Sequence, residues 1–289
     1  MKAKGGPNEP TWRARWLGRV IRELREGRKL TVKDVADYLR RSPSVVSNFE
    51  TGVNPIPGDE LLKLLDLFGV SDMTQRGDLL RLAKDVAQRG WWDNYEPYLN
   101  RNFTDYLWLE DNAHTVNILA LTALPGLLQT REFMTTLITH GHEDGDDLRP
   151  QRAVEARLMR QQVLSGRGQK LFRFLIHEPV LFQQVGDAMP GQFAHLLDLF
   201  GVQGVELRIL PKECWRHIAE GVTTEFTHFQ LPEPLPEVVC LDSSAGSKFL
   251  EAPDLDLFAE TYDALWDDEA LKDAQSAERI KNLMKDVTK

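Results

Sequence analysis

The sequence predicts two unlike halves: a mainly α N-terminal domain of five short helices, then an α+β C-terminal domain. Three observations lead there. Apolar stripes at helical spacing recur through the first ninety residues. Segments rich in β-branched and aromatic residues come only later, after a further series of helical patterns. Charge divides the chain as well, with 12 Lys/Arg against 6 Asp/Glu in residues 1–58 and 23 against 38 in the rest, or +6 and −15 of the net −9. Such a split fits an end that meets nucleic acid, joined to a body that repels it; a fluctuation on a solvated surface is the plainer reading.

At 289 residues the chain has length for about two domains and a sizeable core. Two cysteines, Cys214 and Cys240, give neither a disulfide framework nor a paired metal spacing, as in a reducing cytosol. The opening "MKAKGGPNEP" has no apolar core behind its charges, so it does not read as a signal peptide. The longest apolar stretch, "TVNILALTALPGLL", is too short to span a bilayer and is interrupted by Pro125. A soluble, cytoplasmic protein is expected.

After a disordered start (1–11), residues 12–26 place Trp16, Leu17, Val20, Ile21 and Leu24 on one helical face. Thr31 is a natural N-cap for a second helix with Val32, Val35, Ala36 and Leu39 inward. Ser42 can cap a third, Pro43 suits its first turn, Val46 and Phe49 form its buried stripe and Gly52 can end it. "IPGDELLKLLDLFGV" and "DMTQRGDLLRLAKDVAQRG" supply the fourth and fifth helices, bringing this domain to residue 89. The three-residue connection between the second and third is that of a helix-turn-helix.

An aromatic linker, 90–102, follows; Trp91 and Trp92 in it suit packing of one domain on another, or ligand stacking. In the domain from 103 to 289, helical patterns cover about 103–112, 126–140, 150–165, 179–186 and 189–200. The strands are "KLFRFLIHE", "VELRILP", "TTEFTHFQL" and "EVVCLD", and two helices close the chain. "LLDLFGV" occurs at 64–70 and at 196–202; each copy reads as a helix with a Schellman stop.

A helix-turn-helix sets the exposed head of its second helix in the major groove while amides and basic side chains hold phosphates. Thr31 and Ser42 begin the two helices, Arg40 and Arg41 occupy the turn, and Arg28 and Lys29 lie nearby, so these six are candidate phosphate contacts. Through "IRELREGRKLT", "VADYL", "SPSVVSNFETG" and "LLKLLDLFGV", residues 19–70 resemble the Cro/phage-repressor (xenobiotic-response-element) family. The resemblance implies a structural pair between Arg25 and Glu50, and base-facing positions at Pro43, Ser44 and Asn48 with Val45 beside them. Asn48 can pair with adenine, Ser44 with either partner, and Val45 or Pro43 can touch a thymine methyl. The chain departs from the family where Val32 replaces a usual glutamine, Arg40 a usual glycine, and Pro43 and Val45 the longer polar residues of the helix head. Modest base discrimination is expected, with arginines and shape readout supplying much of the affinity.

The rest of the chain is similar to the C-terminal domain of actinobacterial WhiJ-like regulators through "RGWWDNY", "YLWLEDNA", "LPGLLQTREF", "VEARLMRQQVL", "FLIHEPVLFQQVG", "QFAHLL" and "VELRILP". That resemblance implies a transcriptional regulator, in some cases antitoxin-like, with a small partner protein encoded nearby. Candidate partner or ligand residues are Trp92, Trp108, Gln129, Arg131, Arg157, Arg160, Gln161 and Glu178; Arg157 and Arg160 can equally pair internally with Glu110 or Glu178, and 126–131 can serve packing alone.

Enzyme motifs are not found. "SSAGSK" lacks the leading glycine of a P-loop, no G-x-S-x-G elbow occurs, "THGHEDGDD" lacks metal-loop spacing, and Cys214 with His217 lacks a second pair. His177 and Glu178 have no nucleophile beside them in sequence. The expectation is a sequence-specific DNA-binding regulator, acting as a homodimer, without cofactor or metal. The alternative is an antitoxin-like interaction module with secondary or lost DNA binding.

Overall fold

The computed structural model describes residues 10–87, 101–140, 148–165, 170–183, 185–243 and 246–287. These fall into two compact units, 10–87 with 101–105, and 106–287.

The first unit holds α1 (Trp12–Gly27), α2 (Val32–Leu39), α3 (Pro43–Glu50), α4 (Gly58–Leu67) and α5 (Met73–Ala87). Its core takes most of the predicted stripes: Trp16, Leu17, Ile21, Val35, Ala36, Val46 and Phe49 are buried, joined by Leu61, Leu64, Leu65, Phe68, Leu79 and Leu82, while Val20, Leu24, Val32 and Leu39 lie half-buried at its edge. Each boundary has a local cause. The Thr11 hydroxyl accepts from the Ala14 amide to start α1, and Thr31 forms a reciprocal capping box with Asp34 to start α2. Helix α4 ends in a Schellman motif, with Gly69 at φ +68° and the Val70 N–H donating to Leu65 O at 2.9 Å.

The second copy of that heptapeptide ends differently. The Val202 N–H donates to Leu199 O, two residues short of the span of a Schellman bond, and the left-handed residue is Gly204 instead. Identical letters thus stop two helices by different hydrogen bonds.

The second unit contains most of α6 (Arg101–Asn112), then β1 (Thr115–Ala120), α7 (Arg131–His140), α8 (Leu148–Gln161), β2 (Leu171–His177), α9 (Met189–Leu199), β3 (Val205–Leu210), α10 (Arg216–Ala219), β4 (Phe226–Gln230), β5 (Val238–Leu241), β6 (Lys248–Leu250), α11 (Asp256–Ala264) and α12 (Asp273–Val287). Its sheet runs in the order β3-β2-β1-β4-β5-β6. Strands β1, β2 and β3 are parallel neighbours, while β1–β4, β4–β5 and β5–β6 are antiparallel. The α+β class holds, with a half-parallel sheet that interleaves strands and helices more than the sequence implied.

One face carries Leu119, Leu175, Leu210, Phe226, Val239 and Leu250, packed under Leu255, Tyr262, Leu265 and Trp266. On the other, Tyr106 of α6 meets Phe229 edge-on and hydrogen-bonds Thr227 at 3.0 Å. Strand β1 is therefore covered on both sides, which explains an apolar run without alternation. It was not predicted as a strand, and neither was the three-residue β6. The helix expected at 126–140 divides into a 3-10 turn, Gly126–Leu128, and α7, because the Thr130 hydroxyl accepts from the Phe133 amide and caps a new start. The pattern at 179–186 gives a 3-10 turn, Glu178–Phe182.

Candidate nucleic-acid interface

Helix α3 is set by its contacts with α1. A Cβ on Gly18 would lie 2.5 Å from the Glu50 carbonyl oxygen, and one on Gly52 2.6 Å from the Ala14 carbonyl carbon. Backbone thus lies almost against backbone, and glycine is required at both places. Arg25 clasps Glu50 with both arms of its guanidinium and also donates to Leu30 O. The carboxylate holds the Arg25 pKa above its ordinary value. With Val46 and Phe49 fixed inward, the opposite face of α3 turns to solvent: Pro43 and Ser44 are exposed, Val45 and Asn48 half-buried. The Asn48 side chain has no hydrogen bond among the described residues.

The phosphate candidates differ among themselves. Arg28 donates to the Phe68 and Gly69 carbonyls, and Arg41 grips Glu60 through Nε at 3.0 Å. Thr31 spends its hydroxyl on Asp34, whose carboxyl is held below its usual range by that bond and by the Thr31 amide. Ser42 occupies the N-cap position of α3, but its hydroxyl pairs with Ser44 at 2.8 Å and makes no capping bond. Lys29 and Arg40 are exposed, without an ion pair among the described residues. Both hold left-handed backbone, at φ 58° and 56°. Each occupies the position after a helix where glycine is usual, and the next residue closes the turn: Leu30 N–H to Arg25 O, and Arg41 N–H to Ala36 O.

In the second unit most partner candidates serve the fold. Arg160 forms a two-point pair with Glu110 and lies 4.8 Å over the Tyr106 ring. Gln161 donates to the carbonyls of Gly126, Leu127 and Gln129, and Gln129 itself donates to Leu124 O. Glu178 is held by Arg279 and by the Lys212 amide, and Trp108 is buried in the core. These side chains are buried or bonded within the fold, though Gln129 Oε1 is left without a donor. Arg131 is exposed, Arg157 half-buried, and Trp92 lies outside the described residues.

A family model described as "Domain of unknown function (DUF5753)" matches residues 103–282, more than half of the chain. The chain belongs to this family. A second model, described as "Helix-turn-helix domain", matches residues 16–79 of the DUF5753 protein, which covers the site built above. No curated protein matches the chain. Among the described residues no helix is long and apolar enough to cross a membrane.

Several residues that shape the DUF5753 protein were not found from sequence. Glu60 orients Arg41 from nineteen residues away and carries no local sign of doing so. Gly18 did carry one, since glycine inside an amphipathic helix costs stability unless a close approach needs it. His177 and His217, at the ends of different elements, meet edge to face at 5.5 Å. Burial lowers the pKa of both, and for His177 the neighbouring imidazole adds to the effect.

Proposed function

We propose that this DUF5753 protein is a sequence-specific DNA-binding transcriptional regulator, with residues 12–88 reading duplex DNA and the C-terminal domain taking a small partner protein or ligand. The reading rests on the open head of α3, where Ser44 and Asn48 face solvent on a helix locked from behind by Arg25 and Glu50. Asn48 reads adenine, Ser44 adds a tolerant contact, and Pro43 and Val45 meet thymine methyls. Lys29 and Arg40 grip phosphates directly, and Arg28, Arg41, Thr31 and Ser42 border the same backbone.

One short head offers few base contacts, so the protein binds as a homodimer to two half-sites. It works in the cytoplasm, by binding and without turnover. The resemblance to Cro-type helix-turn-helices and to WhiJ-like regulators belongs to this reading. Footprinting of the full chain on DNA upstream of its own gene, against random competitor, is the test. A protected, two-fold-related site supports the reading. Equal retention on specific and random DNA overturns it in favour of a partner-holding, antitoxin-like role.

A further inference from the structure

Helix α8 packs through one face. Val154, with Ala153 and Leu158, meets Met134 and Ile138 of α7. Arg160 closes on Glu110, and Gln161 ties down the turn at 126–129. Arg157 is three or four residues from Ala153, Val154, Arg160 and Gln161, so it stands in the middle of this packed face. Its Nη1 is buried with no hydrogen-bond partner, and no carboxylate pairs with it among the described residues.

The charge that acts on it is another cation, Arg160, which is itself paired with Glu110. Burial, with Arg160 beside it, lowers the Arg157 pKa, yet a guanidinium stays protonated at any working pH. Closing part of a charged group off from water without a counter-charge or hydrogen bond is unfavourable. A second buried group lacks a partner: Gln129 Oε1, an acceptor without a donor, on the turn tied down by Gln161, four residues along α8 from Arg157.

We propose that the seam between α8 and the 126–129 turn binds an oxyanion, the carboxylate or phosphate of a small effector, with Arg157 as its anchor. Gln129 Oε1 accepts from a donor group on the same molecule. The inference rests on the ligand-binding reading of the C-terminal domain and gives that ligand a chemical class.

The test is thermal unfolding of the full chain, wild type, Arg157→Met and Arg157→Gln, in chloride, acetate or inorganic phosphate at equal ionic strength. Wild type is expected to gain about 2–4 °C in acetate or phosphate over chloride, and both variants to lose that gain. Acetate alone marks a carboxylate site, phosphate alone a phosphate site. Phosphate also stabilises proteins by exclusion, an effect the variants share, so the wild-type excess is what counts. In chloride, Arg157→Met should unfold no lower than wild type, since it removes an unmatched charge. Equal gains in all three proteins, no gain in wild type, or a lower Tm for both variants in chloride would overturn the proposal. No DNA enters the measurement, so its failure is separable from failure of the regulator reading.

Discussion

Arg25 and Glu50 meet through two parallel hydrogen bonds, Nε to Oε1 at 2.6 Å and Nη2 to Oε2 at 3.0 Å, joining the last turn of α1 to the last residue of α3. Both side chains are under one-tenth exposed. Glu50→Ala leaves the buried guanidinium with only the half-exposed Glu26 carboxylate, 3.3 Å away, at a cost towards the lower end of about 3–5 kcal/mol. Glu50→Gln, which keeps an acceptor, should cost less. Urea denaturation of the two variants checks the order.

Arg40 holds left-handed backbone that glycine would adopt without strain. The strain is worth about 1–2 kcal/mol, against about 0.5–1 kcal/mol for the extra unfolded-state freedom of glycine. Arg40→Gly should therefore stabilise the protein by roughly 0.5–1 kcal/mol on these same scales, while weakening binding to every DNA sequence alike. Thermal unfolding and a binding titration on specific and random duplexes, run side by side, separate the two effects. Lower stability together with unchanged affinity would remove Arg40 from the interface.

Asn48→Ala should relax preference at one base position and leave random-sequence affinity almost unchanged. Removing Arg41 is a different kind of change, because it also strands the buried Glu60 carboxylate. The double variant Arg41→Ala with Glu60→Gln avoids that and should lower the slope of log K against log salt by about 1. Competition binding over a panel of single-base operator variants tests the first claim, and a salt titration the second.

His177 and His217 both titrate below the ordinary histidine value. As pH falls below about 6.5 the unfolded chain takes up protons that the folded chain resists, so stability declines with acidification through the folded values. Urea midpoints between pH 7.5 and 5.5 should fall, and less steeply in a His177→Gln/His217→Gln variant. An unchanged slope would mean that other groups carry the acid sensitivity.

The helices of the first unit were legible because their signals are local: Thr31 with Asp34, Pro43 at a first turn, Gly52 at a stop. The open face of α3 was legible too, since placing Val46 and Phe49 inward leaves Ser44 and Asn48 outward. Strand β1 was hidden because burial on both faces removes the alternation that marks a half-exposed strand. Long-range pairing was harder still. Sequence left Glu110 and Glu178 as equal partners for the α8 arginines, but the fold gives Glu110 to Arg160 and Glu178 to Arg279, a residue 101 positions away. The status of Arg157 follows from those choices, so it could not be read before them.

The mixed sheet has a consequence for synthesis. Strand β1 pairs in parallel with β2 on one side, but its other neighbour, β4, begins at Phe226, over a hundred residues downstream. While the ribosome is making those residues, the first three strands can align with one long rim of β1 still bare. Unpaired rims invite neighbouring chains, and pairing with 226–230 is what covers this one.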